Sequence, residues 1–203
     1  MGLEQEDNPS AFKHNIGPAL LKRMGKEIKA VHPAFDRKAF ESIDRDLAEL
    51  ELKPRVARVR DELRRLLPAS YKEALAILLA AARSRNLSGF DIWPLTDFVQ
   101  TFGLGERKRS LDALKVLTRL FTSEFAVRPF LRLYPEQTLA YLLRCTASGN
   151  EHDRRWASEG SRPRLPWGER LQDLVADPRP TLPILRAWSS TSPFTCERAS
   201  PTT

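Results

Sequence analysis

Apolar residues recur every three or four positions along most of the chain, which is the spacing of one face of an α-helix. The first such segment spans residues 16–31 and ends at His32-Pro33, where proline disfavours further helix. Residues 71–82 are nearly all apolar, which predicts a helix central in the core. No segment alternates apolar and polar residues over several positions, as a half-buried strand would. The pattern therefore predicts an all-α fold.

Proline, glycine and serine interrupt the apolar pattern and divide it into short helices. Asp36 is a predicted N-cap, Pro54 a predicted first helical residue, and Pro94 opens another short helix. Further helices are predicted near residues 107–121, 123–132, 135–147, 151–159, 169–175 and 182–187. Helix pairs of about 40 residues joined by short turns are typical of an α-solenoid, which is the architecture we expect.

The two ends of the chain depart from this pattern. Residues 1–10 are acidic and polar, and they predict a flexible leader without the features of a signal or transit peptide. Residues 188–203 replace the Leu/Ala/Arg pattern with serine, threonine and proline, which predicts an irregular tail. One helical domain is therefore expected over residues 11–187, incomplete at its C-terminal end.

Composition adds a partner class to this picture. The chain has 203 residues, 41% hydrophobic and 29% charged, which fits one globular domain with a sizeable core. Its net charge of +7 favours a polyanionic partner, nucleic acid first and an acidic membrane surface second. The alternative is that the charge only reflects an arginine-rich proteome.

The cysteine positions argue against a metal-binding or disulfide-stabilised protein, and the lengths of the apolar runs argue against a membrane-spanning one. Cys145 and Cys196 lie far apart and form neither a metal-binding spacing nor a disulfide framework, and Cys145 is expected to be a buried thiol. No run of about 18 apolar residues occurs, so no membrane span is predicted. A reducing cytoplasm is the expected location.

Residues 152–167 contain the most chemistry for their length: four arginines, two tryptophans and one glutamate. Arginine presents planar, permanent positive charge suited to phosphate, and tryptophan presents a rigid flat surface. A carboxylate among so many cations suggests a role beyond solubility. The alternative interpretation is an ordinary helix end followed by a proline-fixed loop with solvated arginines.

The run RRWASEG at residues 154–160, followed by RPRLPW at 162–167, resembles the AlkC-like branch of the DNA alkylation repair glycosylases. The stretch LTRLFTSEFAVRPF at 117–130 is similar to the same family, as are residues 12–35 and 50–56. The resemblance covers most of residues 10–187.

This resemblance implies a HEAT-like solenoid, a right-handed superhelix of antiparallel helix pairs, whose concave basic face holds duplex DNA. It further implies hydrolysis of the N-glycosidic bond of cationic N3-alkylated bases such as 3-methyladenine, without flipping of the base into a pocket. The expected partner is double-stranded DNA with alkylated bases, bound by a monomer in the cytoplasm at the nucleoid. Neither a metal nor an organic cofactor is expected.

The resemblance also assigns roles to residues. Glu124, Glu159 and Trp167 occupy the family's catalytic positions, where carboxylates stabilise an oxocarbenium-like sugar and orient water, and an aromatic face packs on deoxyribose. Five arginines are expected to contact DNA, chiefly the phosphates. They are Arg128, Arg154, Arg155, Arg162 and Arg164.

Simpler interpretations of the same residues remain open. Glu124 fits an ordinary carboxylate at a helix N-terminus, and Glu159 fits a surface salt bridge to Arg155 one turn away. Trp167 fits a plug in the solenoid core, a role that suits Trp156 better because it lies on a helix face.

Two departures from the family pattern bear on function. Asp153 stands where the family usually has an apolar residue, so a charge would weaken packing there if the position is buried. A further catalytic aspartate is expected in the repeat after residue 187, yet residues 189–203 contain none. This suggests a truncated or frame-shifted product. The alternative functions are a DNA-binding or protein-binding scaffold without chemistry, or a solenoid that binds an acidic protein.

Overall fold

The computed structural model describes residues 12–84, 86–166 and 168–191. Within these residues the regular structure is helical and no strand occurs, as predicted. Four short 3-10 segments connect or precede the α-helices. The α-helices are α1 (Pro18–Val31), α2 (Arg37–Glu41), α3 (Asp44–Leu47), α4 (Leu52–Leu66), α5 (Tyr71–Ala82), α6 (Trp93–Phe102), α7 (Arg107–Leu117), α8 (Arg128–Leu133), α9 (Pro135–Cys145), α10 (Glu151–Gly160), α11 (Gln172–Ala176) and α12 (Leu182–Thr191).

Side-chain caps fix several helix starts. The Asp36 carboxylate accepts the backbone N–H of Ala39 at 3.0 Å, which confirms the predicted cap of α2. Ser70 accepts the N–H of Glu73 and begins α5, whose bounds agree with the predicted helix. Such caps satisfy backbone donors that the first helical turn leaves without partners.

Some predicted helices are shorter or divided in the structure. The helix expected after Asp36 breaks at Ser42, whose hydroxyl donates to the Ala39 carbonyl, and this separates α2 from α3. Pro54 is the third residue of α4 rather than its first. The helix expected from residue 123 begins only at Arg128, and α12 continues past the predicted domain end to Thr191. The predicted leader and the chain beyond residue 191 lie outside the described residues.

The helices pack in two adjoining rows. In one row α4 lies against α6, and in the other α1 lies against α5 and α5 against α7. Helix α6 also contacts α5 and α7, which joins the rows, and α9 continues the stack by packing against α8, α10 and α12. The packed helices bury one continuous apolar core. The predicted all-α helical-repeat fold is confirmed.

A buried arginine fixes the irregular segments near the start of the fold. Arg55 on α4 donates to the carbonyls of Leu50 at 2.7 Å, Ala48 at 3.1 Å, and Lys13 and Ile16 at 3.3 Å. These carbonyls belong to segments outside regular helices, which need partners for their buried polar groups. One side chain thus ties two irregular segments to α4.

Across residues 12–84, 86–166 and 168–191, no helix has both the length and the apolar character needed to cross a membrane. The same residues contain no cluster of three or more histidine, cysteine or acidic side chains arranged to hold a metal ion. Cys145 is buried, as expected, and burial raises the pKa of its thiol to about 11.

Candidate functional site

Glu124 lies in a turn that leads into α8, not at the N-terminus of that helix. Its neighbour Ser123 is held from two sides: the Ser123 hydroxyl donates to the Leu114 carbonyl at 2.9 Å, and the Ser123 carbonyl accepts the Trp156 indole N–H at 3.0 Å. Trp156 is a buried core residue, as the sequence suggested. The position of Glu124 is therefore fixed by α7 and α10.

The Glu124 carboxylate is buried without full hydrogen bonding. The residue is 6% exposed. A guanidinium nitrogen of Arg155 lies 2.7 Å from its Oε1, yet no N–H is directed at that oxygen, so Oε1 has ionic contact but no hydrogen bond. Burial raises the pKa of Glu124 above its usual value, and the charge of Arg155 opposes the shift only in part. The half-exposed Arg155 is therefore the only ion-pair partner that the described residues provide for this buried oxygen.

Glu159 lies in the last turn of α10 and pairs with Arg162 at 2.8 Å. The expected salt bridge between Glu159 and Arg155 does not form, because the Arg155 guanidinium turns instead to Glu124. Arg155 and Arg162 both remain about half exposed while paired. The same two cations can therefore meet a carboxylate or a solvent-side phosphate.

We refer to Glu124, Arg155, Glu159 and Arg162 as the carboxylate cluster. The Glu159 charge contributes to the raised pKa of Glu124, and the Arg162 charge opposes it, so the two ion pairs interact electrostatically. The structure thus brings together two carboxylates that lie in different elements and are 35 positions apart in sequence. A pair of carboxylates beside cations is suited to stabilise positive charge on a sugar.

Arg128 does not have the predicted phosphate-binding role. It is 0% exposed, and its guanidinium donates to the backbone carbonyls of Gly160, Arg162, Pro163 and Glu169. Four of its five N–H donors are used by these carbonyls, and a side chain that is not exposed to solvent cannot contact DNA in this conformation. Burial lowers the pKa of Arg128, and the nearby Glu169 charge opposes this shift.

The other predicted arginines differ in availability. Arg154 is half-buried and donates to the Ser148 carbonyl at 2.9 Å, which ties one nitrogen to the start of α10. Arg164 is exposed on the loop that follows α10, and the described residues offer it no ion pair or hydrogen bond. Trp167 lies outside the described residues, so its predicted role as a sugar platform remains a prediction.

The environment of Asp153 shows whether a charge at this position weakens the packing. It is buried, yet Arg119 donates to both carboxylate oxygens at 2.8 Å, Ser148 donates at 2.8 Å, and Lys115 lies 3.6 Å away. Burial disfavours the charge, but these hydrogen bonds and cations outweigh burial and lower the pKa of Asp153. The expected weakening of packing is compensated by a full set of partners.

Aromatic side chains beside Glu124 were missed in the sequence. Half-buried Phe121 and Phe125 flank Glu124, and Phe125 stacks on Trp93 with ring centroids 5.6 Å apart. Phe125 and Trp93 also line a groove of about 480 Å³ whose basic residues come from α4 and α8. Those basic residues are Lys53, Arg60 and Arg132. The run Phe-Thr-Ser-Glu-Phe was the available signal, because aromatic rings next to a carboxylate suit a cationic base.

Two known proteins are similar to most of the chain. No family model matches the chain. The chain is 44% identical over 177 residues to the uncharacterized protein YhaZ of Bacillus subtilis (strain 168), covering 86% of this chain and 49% of that protein. The Pseudomonas fluorescens alkylpurine DNA glycosylase AlkC, solved bound to DNA containing an abasic site analog, matches at 40% identity. That match has a TM-score of 0.84 and covers 91% of this chain and 52% of AlkC.

The fold and the carboxylate cluster define the class as a helical-repeat protein with two arginine-paired carboxylates and a nearby groove lined by aromatic and charged side chains. In sequence and in fold the chain is AlkC-like over 91% of its length. The resemblance stated from the sequence is confirmed. The chain spans about half the length of both proteins that it matches.

Proposed function

We propose that this chain is a DNA glycosylase that hydrolyses the N-glycosidic bond of cationic N3-alkylated purines, such as 3-methyladenine, in duplex DNA. An alkylated purine already carries positive charge, so it leaves without protonation by a general acid. The bonding electrons pass to the ring and neutralise it as the bond breaks. Positive charge then develops on the deoxyribose, which needs nearby anions and an attacking water.

The carboxylate cluster supplies both requirements. Ionised Glu124 stabilises the developing oxocarbenium charge in a site of low water content, where electrostatic interactions are strong. Glu159, on the neighbouring helix, orients the water and accepts its proton as oxygen bonds to the sugar. Arg155 and Arg162 hold the carboxylates before DNA binds and contact the flanking phosphates afterwards. The products are a free base, an abasic sugar and one proton.

One observation carries this proposal: the buried Glu124 oxygen Oε1 has a single ionic partner, the half-exposed Arg155, and no well-aligned hydrogen bond. A buried polar atom in that state is costly and calls for a ligand or a reaction to explain it. In an ordinary salt bridge on the protein surface, the carboxylate would not be buried. The AlkC structure supports the proposal, because that relative is described as an alkylpurine DNA glycosylase and is bound to DNA.

The test is release of free 3-methyladenine from methylated duplex DNA, followed by chromatography under single-turnover conditions. The chain should release the base, and Glu159→Gln should slow release about 100-fold because it removes the proton acceptor. Glu136→Gln, an exposed acid at the start of α9, is the matched control and should leave the rate unchanged. Equal rates for the two variants would contradict the role of Glu159.

A second candidate is a DNA-binding scaffold without chemistry. It is favoured by the ion pairs of the cluster, since both carboxylates are already neutralised by arginines. This candidate predicts duplex binding that weakens steeply with salt, because displaced counterions drive the association. Binding of that kind with no base released would favour the scaffold over the glycosylase.

A further inference from the structure

We infer that Arg128 is a positioning residue that holds the loop of residues 160–169 against the carboxylate cluster, so that Glu159 and Arg162 are correctly placed for base release. This inference rests on the proposed function. It replaces the direct contact with DNA that the sequence suggested for Arg128. We refer to the described residues of this segment, which are Gly160 at the end of α10, 161–166, 168 and 169, as the arginine loop.

The hydrogen bonds of Arg128 reach both ends of the arginine loop. At the entry, one guanidinium nitrogen contacts the Gly160 carbonyl at 3.3 Å and the Arg162 carbonyl at 2.8 Å, and another contacts Pro163 at 3.0 Å. At the exit, Nε donates to the Glu169 carbonyl. A loop held at entry and exit by one rigid group has little freedom to move relative to that group.

The backbone of the arginine loop lies very close to Arg128 and its neighbour. A Cβ added to Gly160 would lie 2.8 Å from Cγ1 of Val127, and one added to Gly168 would lie 3.2 Å from Cδ of Arg128. Glycine at these two positions therefore permits the close approach on which the hydrogen bonds depend. The Pro163 carbonyl also accepts the Leu171 N–H at 3.1 Å, which closes the loop on itself.

This placement links Arg128 to both ion pairs of the cluster. Glu124 lies in the turn that leads directly into Arg128, and Glu159 precedes the first carbonyl that Arg128 binds. Arg162, the partner of Glu159, has its own carbonyl held by Arg128. Arg128 therefore sets the distance between the turn that carries Glu124 and the helix end that carries Glu159.

Lysine in place of Arg128 keeps the charge but has a single nitrogen, which cannot reach carbonyls at both ends of the loop. We expect Arg128→Lys to lower the single-turnover rate of base release about 100-fold, since small displacements of reacting groups have effects of that size. Binding of duplex with an abasic site should change less than about threefold, because every exposed arginine of the site is retained. Loss of rate with binding retained marks positioning.

Arg55→Lys is the matched control. Arg55 is also buried and also donates to four backbone carbonyls, but these lie in irregular segments near the N-terminus. Arg55→Lys should destabilise the chain to a similar degree and leave the rate per folded molecule unchanged. A rate loss equal to that of Arg128→Lys would mean that the effect follows general destabilisation, and would overturn the inference.

A second readout does not depend on activity. Trypsin cleaves after Arg164 but not after Arg162, because Pro163 follows Arg162. Cleavage after Arg164, detected by mass spectrometry, should be at least tenfold faster in Arg128→Lys than in the wild type or Arg55→Lys, since proteolysis requires a loosened loop. Unchanged cleavage in the folded variant would overturn the inference.

Gly160→Ala tests the same contact if Arg128→Lys does not fold. Its Cβ would collide with Val127 and push the loop from its seat, and it should share the slow base release and the faster cleavage. Gly149→Ala, with nothing within 4 Å of the added Cβ, should match the wild type in both assays. If the wild type releases no base, the proposed function fails, and cleavage after Arg164 alone decides whether Arg128 holds the loop.

Discussion

Glu124 and Asp153 are two buried carboxylates, each paired with an arginine, and their environments have opposite effects. Asp153 is 0% exposed and receives hydrogen bonds from Arg119 and Ser148, so its pKa is lowered. Glu124 is 6% exposed, one of its oxygens has no hydrogen bond, and its pKa is raised. The difference lies in the number of donors, because burial disfavours both charges.

The number of hydrogen-bond donors distinguishes a carboxylate that stabilises the fold from one that is available to interact with a ligand. A carboxylate whose partners are all provided by the fold joins elements together, as Asp153 joins α10 to the turn after α7 through Arg119. A carboxylate that the fold leaves incompletely bonded has a cost in stability, and it is ready to stabilise a positive charge that arrives with a ligand. Within the carboxylate cluster Glu124 has the second character, which is why the proposed function assigns it the stabilisation of the sugar cation.

The largest expected effect comes from Glu124→Gln. Removing the charge should slow base release by about 10²–10³-fold, the usual consequence of losing one electrostatic contact to a transition state. Thermal unfolding should not shift downward, because the glutamine amide has no buried charge and Arg155 is 59% exposed and can be solvated. If Glu124→Gln unfolded at a lower temperature than the wild type and kept its rate of base release, Glu124 would have the stabilising role that is assigned to Asp153.

Asp153→Asn should instead lower the stability and leave the rate of base release nearly unchanged. Loss of the carboxylate leaves Arg119 without its counter-charge and should lower the free energy of unfolding by about 2 kcal/mol. This is less than for a fully buried pair, since the Arg119 side chain is 44% exposed. The rate of base release per folded molecule should stay within about threefold of the wild type. Urea unfolding and single-turnover assays at matched folded concentration measure both quantities.

The contributions of Asp153 and Glu124 to stability should depend on pH in different ways. Asp153 has a lowered pKa, so its contribution is present above the ordinary value of 3.8 and is lost as pH falls through its folded-state pKa. Glu124 has a raised pKa, so its ionisation destabilises the fold at neutral pH and this penalty disappears as pH falls below 4.5.

Urea unfolding at a series of pH values measures both dependences. The excess stability of Glu124→Gln over the wild type should shrink to zero as pH falls below 4.5, while the deficit of Asp153→Asn should persist until below 3.8. Deficits or excesses that do not change with pH would show that neither carboxylate is shifted in this way.

The smallest expected effect is that of Arg164→Ala. Arg164 is exposed and belongs to neither buried pair, so stability should change by less than about 0.5 kcal/mol. If it contacts one phosphate, the slope of log K against log salt should decrease in magnitude by about 1. Lys72 is exposed on α5, so Lys72→Ala is the matched control. Arg186→Ala is less suitable, because Arg186 on α12 has interactions within the protein.

The sequence predicted the helical fold because apolar spacing is a local property of each segment. It also placed Glu124, Glu159 and the arginines at one site through the resemblance to a family. It misjudged Arg128, because a guanidinium that binds carbonyls and one that binds phosphate look alike in sequence. The partners of Asp153 could not be predicted either, since Arg119 lies 34 positions away, in the turn after α7, and meets Asp153 only in the folded chain.

The most direct test of the account is the rate of 3-methyladenine release from methylated duplex as a function of pH, for the wild type and Glu124→Gln. Rates are compared only where circular dichroism shows both chains folded. The wild-type rate should fall as pH drops through the raised pKa of Glu124, above 4.5, because the protonated group no longer stabilises the sugar cation. The residual rate of Glu124→Gln should lack this inflection. The proposed base Glu159 is present in both chains, so any pH dependence that it causes is shared. Identical pH profiles for the two chains, or no base release by the folded wild type, would contradict the role of Glu124.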